Sequence, residues 1–162
     1  MECSCMNFSG SIYFQCRKKA ARYNPELESR ERAAEYLGVS VSSLANYELG
    51  ITVVPVDVVI RMADLYSAPQ LRNLYCKNEC PLGEERPLAV EVKSIETVTL
   101  GVLSILDEDK IRNMKKQLLQ IAEDGVISDD EIEVFNGVVE KLDKFALTIS
   151  EVKLLANKIR RK

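Results

Sequence analysis

An all-α fold is expected, and three observations predict it. Apolar residues recur at spacings of three and four along most of the 162-residue chain. No stretch alternates apolar and polar residues convincingly enough for a strand. Serines, prolines and glycines fall where helices conventionally begin and end. Together these predict five short helices followed by about three longer ones.

Residues 1–10 read as a loose tail. The run "SIYFQCRKKAARY" (11–23) fits a helix with Ile12, Cys16 and Ala20 on one side, ended by Asn24-Pro25. Ser29 is positioned to cap "RERAAEYL", and Gly38 sits where a helix C-terminus favours a left-handed residue. Ser40 caps a second short helix reaching Glu48, and Gly50 ends it. Pro55 opens "PVDVVIRMADLY", with Val58, Val59, Met62 and Leu65 at helical spacing. A fifth short helix, "PQLRNLYC", follows from Pro69.

The charged, Pro- and Gly-rich "KNECPLGEERP" (77–87) reads as a linker between two helical units, 11–76 and 88–162. In the second unit Leu88, Val92, Ile95, Thr99, Val102 and Leu106 make a heptad-like stripe. Ile111, Met114, Leu118 and Ile121 continue the rhythm on the next helix. "EDGVISDDE" interrupts it, and Ser128 with Glu131 forms a capping box for a last long helix. Its apolar positions include Ile132, Phe135, Val139, Leu142, Ile149, Val152 and Ile159.

Composition narrows the function. Apolar content of 46% and charged content of 29% are ordinary for a globular protein. No apolar run approaches the roughly 18 residues of a membrane helix. The N-terminus lacks a secretory pattern, so the cytoplasm is the expected location. Histidine is absent, which removes the commonest general base and any His-containing metal site. No nucleophile–base pair or phosphate loop is found, and the expectation is a non-enzyme without a cofactor. The net charge is −3, and residues 1–80 carry nine basic and nine acidic side chains. Any nucleic-acid affinity therefore rests on local geometry rather than on a strong overall field.

Residues 29–50, "SRERAAEYLGVSVSSLANYELG", meet the packing demands of a helix-turn-helix. In that motif the second helix enters the major groove while the first braces it across the backbone. A small residue is required at the crossing, and Ala34 supplies it. The turn requires a residue tolerant of positive φ, and Gly38 supplies that. Leu37, Val39, Leu44 and Tyr47 are spaced to hold one helix on the other. With Pro55 and "VIRMADLYSAP" (59–69), this sequence resembles the lambda-repressor-like, Xre-type helix-turn-helix family over roughly residues 11–75. The resemblance implies a five-helix DNA-binding domain, followed here by a helical C-terminal dimerisation or regulatory region.

Carried over residue by residue, the resemblance implies reading positions at Ser40, Val41, Ser42, Ala45 and Asn46. Ser43 falls nearer the DNA backbone. Arg30 would lie over a phosphate or a base edge. Asn46 suits a bidentate contact with adenine, and Val41 or Ala45 suits a thymine methyl. The serines serve equally well as caps or solvated residues. The sequence departs from the family pattern after Gly50, where "ITVVP" replaces the phosphate-gripping Lys or Arg of many members. Only Thr52 and backbone N–H groups remain for phosphate there, so one domain alone should bind weakly. The apolar loop is alternatively a dimer contact. Arg17, Lys18, Lys19 and Arg22 make either a phosphate-contacting cluster or a solvated helical face.

Five cysteines leave three readings open. Cys3, Cys5 and Cys16 are N-terminal, while Cys76 and Cys80 flank the linker. They are inert thiols, a redox-sensing pair, or a metal-binding thiol cluster of Cys16, Cys76 and Cys80. "EDGVISDDE" echoes a calcium loop, but Gln120 and Ala122 stand where its first two ligands belong, and calcium is rejected.

The expected function is that of a sequence-specific transcriptional regulator, a repressor acting as a homodimer through residues 88–162. Its partner would be double-stranded DNA carrying a palindromic operator. The alternative is a helix-turn-helix module that binds a protein partner, of coactivator or antirepressor type, with little direct DNA binding. No membrane association is expected.

Overall fold

The computed structural model describes residues 11–83, 85–123 and 125–160. The loose tail expected at 1–10, with Cys3 and Cys5, lies outside the described residues. Those described are helical throughout their regular structure, with no strand among them. The helices are α1 (Ile12–Ala21), α2 (Arg30–Leu37), α3 (Val41–Leu49), α4 (Val56–Leu65), α5 (Gln70–Asn78), α6 (Ile95–Ile105), α7 (Glu108–Ile121) and α8 (Ile132–Ile159). The chain divides into two compact units. Among the described residues, one comprises those from 11 to 86 with 157–160, and the other those from 87 to 156.

The first unit is set by local signals that agree with its core. Ser29 Oγ accepts from the Arg32 N–H and starts α2, as expected. Gly38 ends it at φ 65°, while the Gly38 and Val39 N–H groups donate to the Glu35 and Ala34 carbonyls. Ser40 Oγ accepts from the Ser43 N–H at 3.0 Å and starts α3, which runs one residue past Glu48. Pro55 stands immediately before α4. Leu37, Leu44, Val59, Met62 and Leu71 are almost wholly buried, with Ala33 and Ala34 beside them. Those small residues let α2 pack on both α3 and α4.

Three local expectations need correction here. α1 stops at Ala21 rather than Tyr23, and Asn24-Pro25 opens a 3-10 turn, Pro25–Glu28. Its inward face carries Cys16, Arg17 and Ala21, while Ile12 is exposed. Ala20 packs partly against the same core, so of the expected side only Ile12 faces out, and a charged residue, Arg17, joins the buried face. α5 also continues through Asn78, into the stretch expected to be linker.

In the second unit the helix expected from Leu88 begins only at Ile95. Ser94 Oγ accepts from the Thr97 N–H and sets that start. Upstream, the Ala89 N–H donates to Ser150 Oγ at 2.9 Å, and Lys93 pairs with Glu151. The segment before α6 is thereby fixed to α8 in a non-helical conformation. Val98 is buried where Thr99 was expected, and Ile95 and Leu106 are exposed. On α8 the buried residues are Val138 and Leu154. The other apolar positions Val139, Leu142, Ile149 and Val152 are exposed. Glu131 accepts from the Ser128 N–H at 3.0 Å, which is the back-reaching half of the expected capping box.

Candidate nucleic-acid interface

Helix α3 presents two faces. Leu44 and Glu48, one turn apart, point inward and are buried. Tyr47 and Val39 pack partly against the same core. The opposite face carries Ser42, Ala45, Asn46 and Leu49. Ser40, Val41 and Ser42 are exposed at the start of the helix, and Ser43, Ala45 and Asn46 are half-buried. The expected reading positions therefore lie along one accessible helix.

The serines are partly committed to one another. Ser40 Oγ lies 3.0 Å from Ser42 Oγ and 2.7 Å from Ser43 Oγ, besides capping the Ser43 N–H. This favours the capping role for Ser40, with the Ser43 hydroxyl held against it. Asn46 makes no hydrogen bond of the kind that ties the serines together, and its amide is the most versatile polar group on the face. Leu49 is an addition that sequence reasoning missed. Its place one turn beyond Ala45 was the available signal.

The cations expected near DNA are mostly anchored elsewhere. Arg17 is only 2% exposed and its Nε donates to Glu48 Oε1 at 2.5 Å, while Nη2 donates to Oε2 at 3.0 Å. Its Nη1 donates to the Leu27 and Glu28 carbonyls, each at 2.9 Å. The guanidinium also lies 5.4 Å from the Phe14 ring centroid. Burial opposes its charge, but the hydrogen bonds and charge of Glu48 outweigh that, and the Arg17 pKa is raised. Arg17 is thus a structural cation, correcting its place in the basic cluster. Lys18 pairs with Glu28, leaving Lys19 and Arg22 as the exposed cations of that helix. Arg30, half-exposed, donates through Nε to Glu48 Oε2 at 2.9 Å. That bond constrains where the Arg30 guanidinium can reach.

Glu48 therefore joins α1, α2 and α3 through two arginines. An acidic residue one turn after Leu44, on the core face, was the sequence signal for it.

The loop after α3 is poorer in donors than expected. The Gly50 and Ile51 N–H groups donate to the Tyr47 and Asn46 carbonyls, so both close the helix rather than face a phosphate. Thr52 is exposed. Ile51 and Val53 flank it, both exposed, while Val54 is buried in the core.

Cys16 is buried, and Gln70 Nε2 donates to its sulfur at 3.8 Å. Cys76 and Cys80 are half-buried free thiols. Among the described residues no three His, Cys, Asp or Glu side chains are grouped to hold a metal ion, so Cys16, Cys76 and Cys80 do not form the thiol cluster considered. No helix of the described residues is long and apolar enough to cross a membrane.

Fold and surface together define a helix-turn-helix domain built on α2 and α3. Residues 28–74 match a family model described as a helix-turn-helix domain. No curated protein and no solved structure matches the chain.

Proposed function

We propose that this chain is a sequence-specific DNA-binding transcriptional regulator of the Xre-type branch, acting as a repressor and as a homodimer through residues 88–162. One observation carries the reading. Ser42, Ala45 and Asn46 lie accessible on a helix braced by α2 in the helix-turn-helix manner, within the segment that matches that domain. Asn46 is the residue assigned to an adenine edge, and Val41 and Ala45 to thymine methyls. Exposed apolar side chains on α6 and α8, among them Leu100, Leu103, Leu142 and Ile149, support association of two chains through the second unit. A dimer would offset the shortage of phosphate contacts by occupying two half-sites about one helical turn apart.

Selection of bound sequences from genomic fragments with full-length protein tests this. A two-fold sequence should be enriched, and Asn46→Ala should weaken discrimination at one base of each half-site by about 1–3 kcal/mol. Absence of any enriched sequence would overturn the reading.

A second reading is favoured by a specific observation: the two best-placed arginines are bound to Glu48, and the loop after α3 is apolar. In this reading the domain binds a protein, as a coactivator or antirepressor does. Binding to random DNA at low salt separates the two, since the protein-binding module should show none.

A further inference from the structure

A cavity of about 520 Å³ lies in the first unit, where α1, α4 and α8 end. That volume falls within the roughly 300–1,000 Å³ of sites that take small molecules. Its apolar walls come from Ala20 on α1, Leu27 in the 3-10 turn, and Leu65 and Tyr66 at the end of α4. Lys19 and Lys158 also line it, and no aspartate or glutamate does. Lys19 is exposed, and its ammonium makes no hydrogen bond or ion pair among the described residues. Lys158 is half-buried and its Nζ donates to the Ser67 carbonyl, with further N–H donors left to give. Burial raises the Cys16 pKa while Lys19 and Lys158 pull it back, so both charges stand around one buried point. Ser67 itself holds a φ of 48° after α4. Glycine is the ordinary residue in such a turn, and serine instead gives the cavity wall a hydroxyl-bearing side chain.

We propose that this cavity binds a small organic acid, its single carboxylate held by Lys19 and Lys158 and its apolar body against Leu27, Leu65 and Tyr66. Charge selects the headgroup. Each of the three helix C-termini contributes about −0.5 of a charge, against one whole positive charge on each lysine. The balance is a fraction of one positive charge, which suits a carboxylate better than a phosphate carrying about −1.5 to −2. The walls select the rest of the molecule, because only an apolar body gains by leaving water for them. A neutral molecule of the same shape would gain from the walls alone and leave both ammoniums unpaired. None of these residues lies on α3, so the site stands apart from the DNA-reading face.

Two-dimensional NMR titration of the full chain with octanoate and with naphthoate tests the site. The two probes share the carboxylate and differ in whether the body is flexible or flat. At least one should saturate at about millimolar concentration and shift the backbone signals of Lys19, Leu27, Ser67 and Lys158. Its neutral amide, octanamide or naphthamide, should bind about tenfold more weakly. Lys19→Met should raise the dissociation constant of the acid about threefold or more, with thermal melting by circular dichroism unchanged. Lys158→Met should weaken binding in the same direction. Lys158 also holds the end of α8 to Ser67, so the exposed Lys19 is the variant that separates binding from folding. The proposal is overturned if neither acid saturates by about 10 mM, or if acid and amide bind alike. An unchanged affinity in Lys19→Met, or shifts confined to residues away from the cavity, overturns it equally.

Discussion

The carboxylate at position 48 faces Arg17 and Arg30, and its worth depends on what each would lose without it. Arg17 is buried beside a carboxylate only 1% exposed, so removing the negative charge strands a guanidinium in the interior. Glu48→Gln should lower unfolding stability by about 3–5 kcal/mol, read by urea denaturation of the full chain. Replacing both partners, as Arg17→Met/Glu48→Leu, should recover part of the loss. Recovery should stay incomplete, because the Leu27 and Glu28 carbonyls then lose their Arg17 donor. An equal loss in the single and double variants would show that the unpaired charge is not the cause. Cys16 offers a second test at this scale. Burial pushes its thiol pKa up, against a smaller downward pull from Lys19, and its thiolate is scarce at neutral pH. In the native chain Cys16 should alkylate much more slowly than Cys76 or Cys80, as followed by peptide mass spectrometry, and should match them after unfolding. Reaction of Cys16 as fast as its two neighbours in the native chain would refute this.

Among the elements, two glycines separate backbone strain from steric exclusion. At Gly38 a Cβ would meet nothing within 4 Å, but φ is +65°. Gly38→Ala should therefore cost about 1 kcal/mol, the ordinary left-handed penalty, and leave the motif folded. At Gly83 the same atom would lie 1.9 Å from the Cys76 carbonyl oxygen, and backbone cannot yield cheaply. Gly83→Ala should cost more than Gly38→Ala, and comparing their melting curves measures the difference. A reversed order would mean that the chain around Gly83 moves aside freely. The helix starts behave more simply: Ser29 and Ser40 each accept an N–H of their own helix, and both roles follow from residue type and spacing.

At the scale of the whole molecule the two units differ in how completely each buries its apolar residues. The first encloses Leu37, Leu44, Met62 and Leu71. The second leaves Leu100, Leu103, Leu119, Leu142 and Ile149 exposed around a core that includes Val98, Ile121, Val138 and Leu154. A single charge on that exposed surface should disturb association and spare the fold. Leu103→Glu should shift the full chain from dimer toward monomer in sedimentation, with its far-ultraviolet circular dichroism unchanged. A dimer of undiminished affinity would remove α6 from the proposed interface.

The sequence by itself determined the helical class, most helix starts and the helix-turn-helix segment. Those depend on local chemistry: a hydroxyl before a helix, a glycine after it, and apolar residues at a fixed period. Tertiary structure alone decided the partners of the long polar side chains and the direction of the second unit's apolar faces. Arg17 looked like a surface cation because a charged residue gives no periodic signal, and only its meeting with Glu48 from α3 makes its burial tolerable. Likewise, Leu88 and Val92 continued an apolar period, but Ser94 starts α6 and Ser150 holds the Ala89 backbone out of helix. On α8 many apolar positions share the long helix, and which of them turn inward was settled by packing around Val138 and Leu154. Periodicity reveals that a helix has an apolar face, whereas the neighbours available to cover it decide which side of that face is buried.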